Sequence, residues 1–308
     1  MTELPTLAAL SQIRDDYRAG AAGDADAAKS CCAAVYGIDL VSLFLGESYH
    51  PGGIELSRRI ANLTALRPGD EVLDVASGIG TTAIMLASEL DAVVTGVDLG
   101  AAQVARATAR AADAGVGNRA HFEVADAERL PFDTPAFDVV ICECALCTFP
   151  DKAGAASEAA RVMRPGGRLG LTDIWVNPDG LESELAGLAG RIACIADARP
   201  ISELQAILET AGLRVAHVER HDDALAATID LVTTRLRALR LLDLPLLRGV
   251  NIRRAIDVAH LAADAVARGD AGYVAIVANK PIADWRLTRP SAHGSGGHRR
   301  VAGDAADC

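Results

Sequence analysis

The stretch "EVLDVASGIGTTAIMLA", Glu71–Ala87, decides the fold. Val72, Leu73 and Val75 make a short β-prone run, Gly78 and Gly80 mark a turn, and helix formers follow from Thr81. A strand that turns through glycines into a helix lets the backbone approach a ligand closely, and the first helical N–H groups have no intrahelical partner. Such turns also serve packing alone, so the neighbouring sequence must decide. Asp98 ends the next β-prone run, "AVVTGVD", about 20 residues further on. A carboxylate at that point accepts both ribose hydroxyls of an adenosine ligand.

From Pro68-Gly69-Asp70 onward, β-rich runs alternate with helical ones. Strands are expected at 71–76, 92–98, 120–126, 137–144, 167–174, 214–220 and 272–280, with "TTAIMLASEL" and "AAQVARATARAADAG" among the helices between them. This alternation implies an α/β protein with a doubly wound, mostly parallel, seven-stranded sheet. Residues 1–65 read as an N-terminal helical cap and 66–221 as the core. Residues 222–270 read as a helical insertion before the last strand, 271–283. The tail, 284–308, is rich in Gly, Ser, His and Arg without periodicity and is expected to be disordered.

Of the 308 residues, 50% are apolar, enough to bury a substantial core, which excludes a fibrous or disordered protein. Acidic residues outnumber basic ones by 41 to 30, for a net charge of -11. The only lysines are Lys29, Lys152 and Lys280. With no basic stripe, a nucleic-acid partner is not expected. No apolar run reaches the roughly 20 residues of a membrane span. Met1–Arg18 carries Glu3, Asp15 and Asp16 where a secretory signal would be basic and then apolar. A cytoplasmic protein with mostly reduced cysteines is expected. The helices of 222–270 are expected to cover the site or to pack against a second copy in a homodimer.

Nicotinamide dinucleotides and S-adenosylmethionine both suit a glycine turn followed by an acidic strand end. Ala76 stands where a dinucleotide fingerprint has its first glycine, and Thr81-Thr82 follow Gly80 with no third glycine in register. "VLDVASGIG", "VTGVDLG", "ADAERLPF…FDVV" and "EAARVMRPGGRLGLTDI" resemble, in order and spacing, the four motifs of the class I S-adenosylmethionine-dependent methyltransferases. The resemblance covers about residues 60–220. It implies S-adenosylmethionine as cofactor, with contacts from Asp74, Ala76, Gly78, Gly80, Asp98, Leu99, Asp126, Ala127 and Cys142. Among these, Asp126 would reach the adenine amino group.

Six of the seven cysteines are internal: Cys31, Cys32, Cys142, Cys144, Cys147 and Cys194. "CECALC" ends the fourth strand, and strand alternation would point Cys142 and Cys144 one way and Glu143 the other. A free cysteine is usually a small core hydrophobe. A structural zinc site would need two closed Cys/His pairs, and Cys-x-Cys-x-x-Cys has no second pair beside it.

"CECALCTFPDK" and "IACIADAR" resemble stretches of the arsenite methyltransferases, and Asp151-Lys152 match as well. That resemblance implies Cys144 and Cys194 as ligands of a metalloid substrate such as trivalent arsenic. Cys31 or Cys32 would then be a third thiolate or a redox partner. In that family the N-terminal cysteine follows a Tyr-Gly segment, whereas here Cys31-Cys32 precede Tyr36-Gly37.

"AERLPF" and "RVMRPGGRL" also resemble the C- and O-methyltransferases of quinones and other small organic molecules. Under that reading the cysteines line an apolar pocket, and His50 or Glu143 serves as base. A non-catalytic S-adenosylmethionine-binding protein is the third alternative. His50, in "ESYHPGG", also reads as a turn residue, and Glu219, His221 and Asp222 read as a surface or hinge cluster.

Overall fold

The computed structural model describes residues 29, 50–182, 185, 195, 197–241 and 251–282. Most of the expected cap, the tail and three of the candidate cysteines, Cys31, Cys32 and Cys194, lie outside the described residues.

Helix α1, Gly53–Leu63, precedes β1, Glu71–Val75, α2, Thr81–Glu89, β2, Val93–Asp98, α3, Ala101–Asp113, and β3, Ala120–Val124. Then come β4, Phe137–Glu143, a 3-10 turn at Leu146–Thr148, α4, Lys152–Val162, and β5, Met163–Val176. Helix α5, Ile201–Thr210, leads to β6, Arg214–Arg220. Two helices, α6, Asp222–Leu241, and α7, Ile252–Arg268, separate β6 from β7, Ala271–Asn279. The sheet order is β3-β2-β1-β4-β5-β7-β6. β7 runs antiparallel to both its neighbours, and the other pairings are parallel. The fold is thus the Rossmann-like methyltransferase architecture, with its helical insertion before the last strand.

Burial explains the order. β1 is covered over four of its five residues, and β7 over all but Asn279, so both sit inside the sheet. β3 and β6 are mostly exposed and carry Glu123, His217, Glu219 and Arg220, charges that suit the two edges. β1, β3 and β4 end one or two residues earlier than expected, where the chain turns into the site, whereas β2 ends as expected and β5 runs on to Val176. Ala76 and Cys144 take left-handed backbone at φ 58° and 54°, which ends β1 and β4. Asp126 pairs in an isolated bridge with Arg129 instead of extending β3.

Gly170 positions α1. A Cβ there would lie 2.5 Å from Ile60 Cγ2, so its absence lets the helix press on the middle of β5. Ile60 and Ser57 are fully buried as a result. A separate core beside the sheet joins Leu225 and Ile229 of α6 to Val258 of α7, Tyr273, Leu56 and Cys147. Among the described residues, no helix is long and apolar enough to cross a membrane.

Candidate active site

A cleft partly open to solvent lies along the C-terminal ends of β1, β2 and β4. This is where open parallel sheets hold their ligands. Of the residues expected at the cofactor, Asp74, Ala76, Gly78, Asp98, Leu99, Asp126 and Ala127 line it. Gly80 caps the N-terminus of α2 behind the lining, at φ 76°. Cys142 does not line the cleft; its side chain packs into the core with Leu73, Val75 and Leu171. Burial, with the charges of Asp173, Asp74 and Glu143, pushes its thiol well above the usual cysteine range, which makes it a poor thiolate.

The alternation expected over Cys142-Glu143-Cys144 holds only to the strand end. Because Cys144 turns into left-handed backbone, it and Glu143 both line the cleft. Its N–H donates to the Thr172 carbonyl at 2.7 Å, which fixes the turn. Cys147 faces the core under α6 and α7. The three described cysteines therefore diverge, one into the cleft and two into separate cores. Among the described residues, no group of three or more His, Cys, Asp or Glu side chains is arranged to hold a metal ion.

Asp151 and Lys152 have structural tasks. Asp151 caps α4 by accepting from Gly154 N at 2.8 Å. The buried Lys152 ammonium donates to the Cys147 and Phe149 carbonyls, both at 2.9 Å, and so ties down the turn after β4. Burial lowers its pKa, and nearby acidic groups offset this only in part.

Glu143 and His50 meet at the inner end of the cleft, with side chains 5% and 9% exposed. Thr82 Oγ1 donates to Glu143 Oε2 at 2.6 Å, and Ser57 Oγ donates to both carboxylate oxygens at 3.1–3.2 Å. His50 Nε2 lies 3.3 Å from Ser57 Oγ and 3.6 Å from Glu143 Oε2. His50 Nδ1 lies 3.2 Å from the Pro51 carbonyl. A carbonyl oxygen can only accept, so Nδ1 carries a hydrogen there and Nε2 is left as the basic nitrogen. Neither Ser57 nor Thr82 is marked as a site residue by the sequence; a lone hydroxyl in a helix carries no pattern that does so.

The residues fit S-adenosylmethionine. Asp74 is 3% exposed, and its Oδ2 has no hydrogen-bond partner although it borders the cleft. Burial first, then the charge of Glu143, pushes it well above the usual carboxylate range. Asp98 accepts from Gly78 N at 2.9 Å and Gly100 N at 2.8 Å, which fixes its orientation and leaves lone pairs for hydroxyl donors. Burial raises its pKa despite those two bonds. Asp74, Asp98, Asp126 and Glu143 give the wall an acidic character that suits a ligand with cationic groups.

Lys29 also lines the cleft, a residue the sequence noted only for its rarity. Its ammonium reaches Asp126 at 2.7 Å and Glu128 at 2.5 Å. Burial alone would lower its pKa, but those two carboxylates hold it above the usual lysine range. The Asp126 carboxylate is therefore already ion-paired, and its Oδ1 accepts from Glu128 N at 2.9 Å. Far from the cleft, Glu219 accepts from Arg59 at 2.7 Å and pairs with His217 and His221, both at 3.0 Å. That cluster fastens α1 to β6.

Residues 72–167 match a family model described as a methyltransferase domain. The chain is 37% identical over 199 residues to the 27-O-demethylrifamycin SV methyltransferase of Amycolatopsis mediterranei, covering 59% of this chain and 72% of that protein. It is 30% identical over 165 residues to the arsenite methyltransferase of Halobacterium salinarum, covering 52% of this chain and 41% of that one. The solved structure of Haemonchus contortus phosphoethanolamine N-methyltransferase 2, in complex with phosphomonomethylethanolamine and S-adenosylhomocysteine, aligns with a TM-score of 0.67. The match covers 81% of this chain and 57% of that one at 20% identity, a likeness of fold.

Proposed function

Since the chain belongs to the class I S-adenosylmethionine-dependent methyltransferases, we propose that it methylates a hydroxyl oxygen of a small organic acceptor, with His50 as general base. The observation that carries this reading is the place of His50 Nε2 on the wall of the cleft, 3.6 Å from a buried carboxylate, Glu143. The relative that acts on a rifamycin supports the same acceptor class.

The cofactor, when bound, supplies an electrophilic methyl group on a sulfonium. Asp98 would hold its ribose hydroxyls, Asp126 the adenine side and Asp74 its charged end. In that arrangement His50 Nε2 takes the proton of the acceptor hydroxyl as the oxygen becomes nucleophilic. The Pro51 carbonyl keeps the opposite nitrogen protonated, and Glu143 stabilises the imidazolium that forms. Ser57 and Thr82 hold Glu143 in place. Ala145 and Phe149 give the acceptor side apolar contact, and Cys144 joins that wall as a small side chain.

A metalloid acceptor is the weaker reading. Cys144 alone of the described thiols borders the cleft, and its proposed partner Cys194 lies outside the described residues. The test is methyl transfer from labelled S-adenosylmethionine to hydroxylated polyketides and phenols, run beside arsenite. We expect organic methyl ethers, and His50→Gln to lower kcat by about 10²–10⁴ with cofactor affinity retained. Methylated arsenic as the sole product, or unaltered turnover in His50→Gln, overturns the proposal.

A further inference from the structure

Two acidic side chains, Asp74 at the end of β1 and Glu143 at the end of β4, border the same end of the cleft and are both nearly excluded from water. Their surroundings are unequal. Glu143 accepts from two hydroxyls, Thr82 at 2.6 Å and Ser57 at 3.1–3.2 Å, and has His50 Nε2 at 3.6 Å. Asp74 has one backbone donor, Ala83 N of α2, and its Oδ2 has no partner. Hydrogen bonds to an anion favour the ionised form, whereas burial without partners favours the neutral acid.

The other groups facing Asp74 do not neutralise it. Asp98 of β2 and Glu143 of β4 both oppose its ionisation, and Cys142 of β4 lies near as a thiol. Among the described residues that line the cleft, His50 and Lys29 are able to carry positive charge, and His50 faces Glu143. The cleft's ammonium, Lys29, is engaged with Asp126 and Glu128. Two like charges this close and this dry cannot both ionise without a counter-charge.

We propose that the Asp74–Glu143 pair carries one proton in the ligand-free enzyme, resident on Asp74, and that Asp74 releases it to solvent when the cationic cofactor binds. Charge balances locally: one positive charge leaves as the proton while the ligand's positive groups enter. Affinity for S-adenosylmethionine therefore rises with pH, up to tenfold per unit, until Asp74 ionises in the free enzyme, and levels off above that point. The inference rests on cofactor binding and is independent of the acceptor and of the base assigned to it.

Titration calorimetry of the intact protein with S-adenosylmethionine, without acceptor, tests this in phosphate and in Tris at about pH 7. Wild type should show binding heats that differ with the buffer's ionisation enthalpy, equivalent to a net release of up to one proton. Asp74→Asn should bind with buffer-independent heat. An imidazole beside the pair is the alternative source of a proton, so His50→Gln is the decisive control and should still release the proton. Glu143→Gln removes the opposing charge without touching Asp74 and should release a smaller fraction. Measurable binding with buffer-independent heat in wild type overturns the proposal while leaving cofactor binding intact. Release that persists in Asp74→Asn, is lost in His50→Gln, or is undiminished in Glu143→Gln overturns it as well.

Discussion

Gly80 shows how much one hydrogen decides. A Cβ at this position would lie 2.7 Å from Phe122 Cζ and 3.0 Å from Ala107 Cβ, and the backbone is at φ 76°. Gly80→Ala must therefore move the aromatic ring and accept left-handed strain, at a cost of about 1–3 kcal/mol. The melting temperature should fall and the dissociation constant for S-adenosylmethionine should rise, both measurable by calorimetry without an acceptor. Normal cofactor affinity in this variant would mean that the turn adapts.

Some residue roles were legible in the sequence and some were not. Asp98 could be read because a carboxylate at a fixed interval after a glycine turn is a pattern. Asp151-Lys152 match the arsenite enzymes in sequence, but the pattern does not tell a ligand site from the helix cap and backbone tie these two side chains make. Ser57 and Lys29 reach the site from segments distant in sequence, Lys29 across 97 positions to Asp126, so no local spacing announced them.

Helix α1 delivers Ser57 to the site because two contacts hold its C-terminal half. One is the Gly170 seat on β5, and the other is the Arg59–Glu219 ion pair to the edge strand β6. The Arg59 guanidinium, followed by His217, holds the Glu219 carboxyl down to about 2. A depressed carboxylate stabilises the fold above its unfolded value of 4.5 and loses that contribution as pH falls through about 2. Both partners are partly exposed, so screening keeps the effect to about 0.2–1 kcal/mol. Glu219→Gln should lower stability by that amount at neutral pH, and denaturant curves of variant and wild type should converge toward pH 2. At this scale the sheet was legible from alternation and the helices from their periodicity. The exact ends of β1 and β4 were not, since left-handed backbone at Ala76 and Cys144 is no property of alanine or cysteine. The expectation that Cys144 would face opposite to Glu143 failed for the same reason: the strand period stops at Glu143.

Across the molecule, the cofactor end rests on cores packed against β1, β2 and β4, while the core under α6 and α7 reaches Cys147, in the turn beyond Cys144. Ile229→Ala, in that second core, should cost about 2 kcal/mol or more. It should raise the acceptor's KM while leaving the dissociation constant of S-adenosylmethionine within twofold of wild type. Equal loss of both affinities would show that the two cores respond as one. The division into separate cores was invisible in composition, because all three draw on the same Leu, Ile, Val and Ala. The strand order sets a bound on change over evolutionary time. Since α6 and α7 join β6 to β7 at the far side of the sheet, residues can be gained or lost between them without altering the register of β1 with β2 and β4. A lineage can thus change the number of residues joining these helices, provided their packed faces are kept, and inherit the methyl-donor seat unchanged.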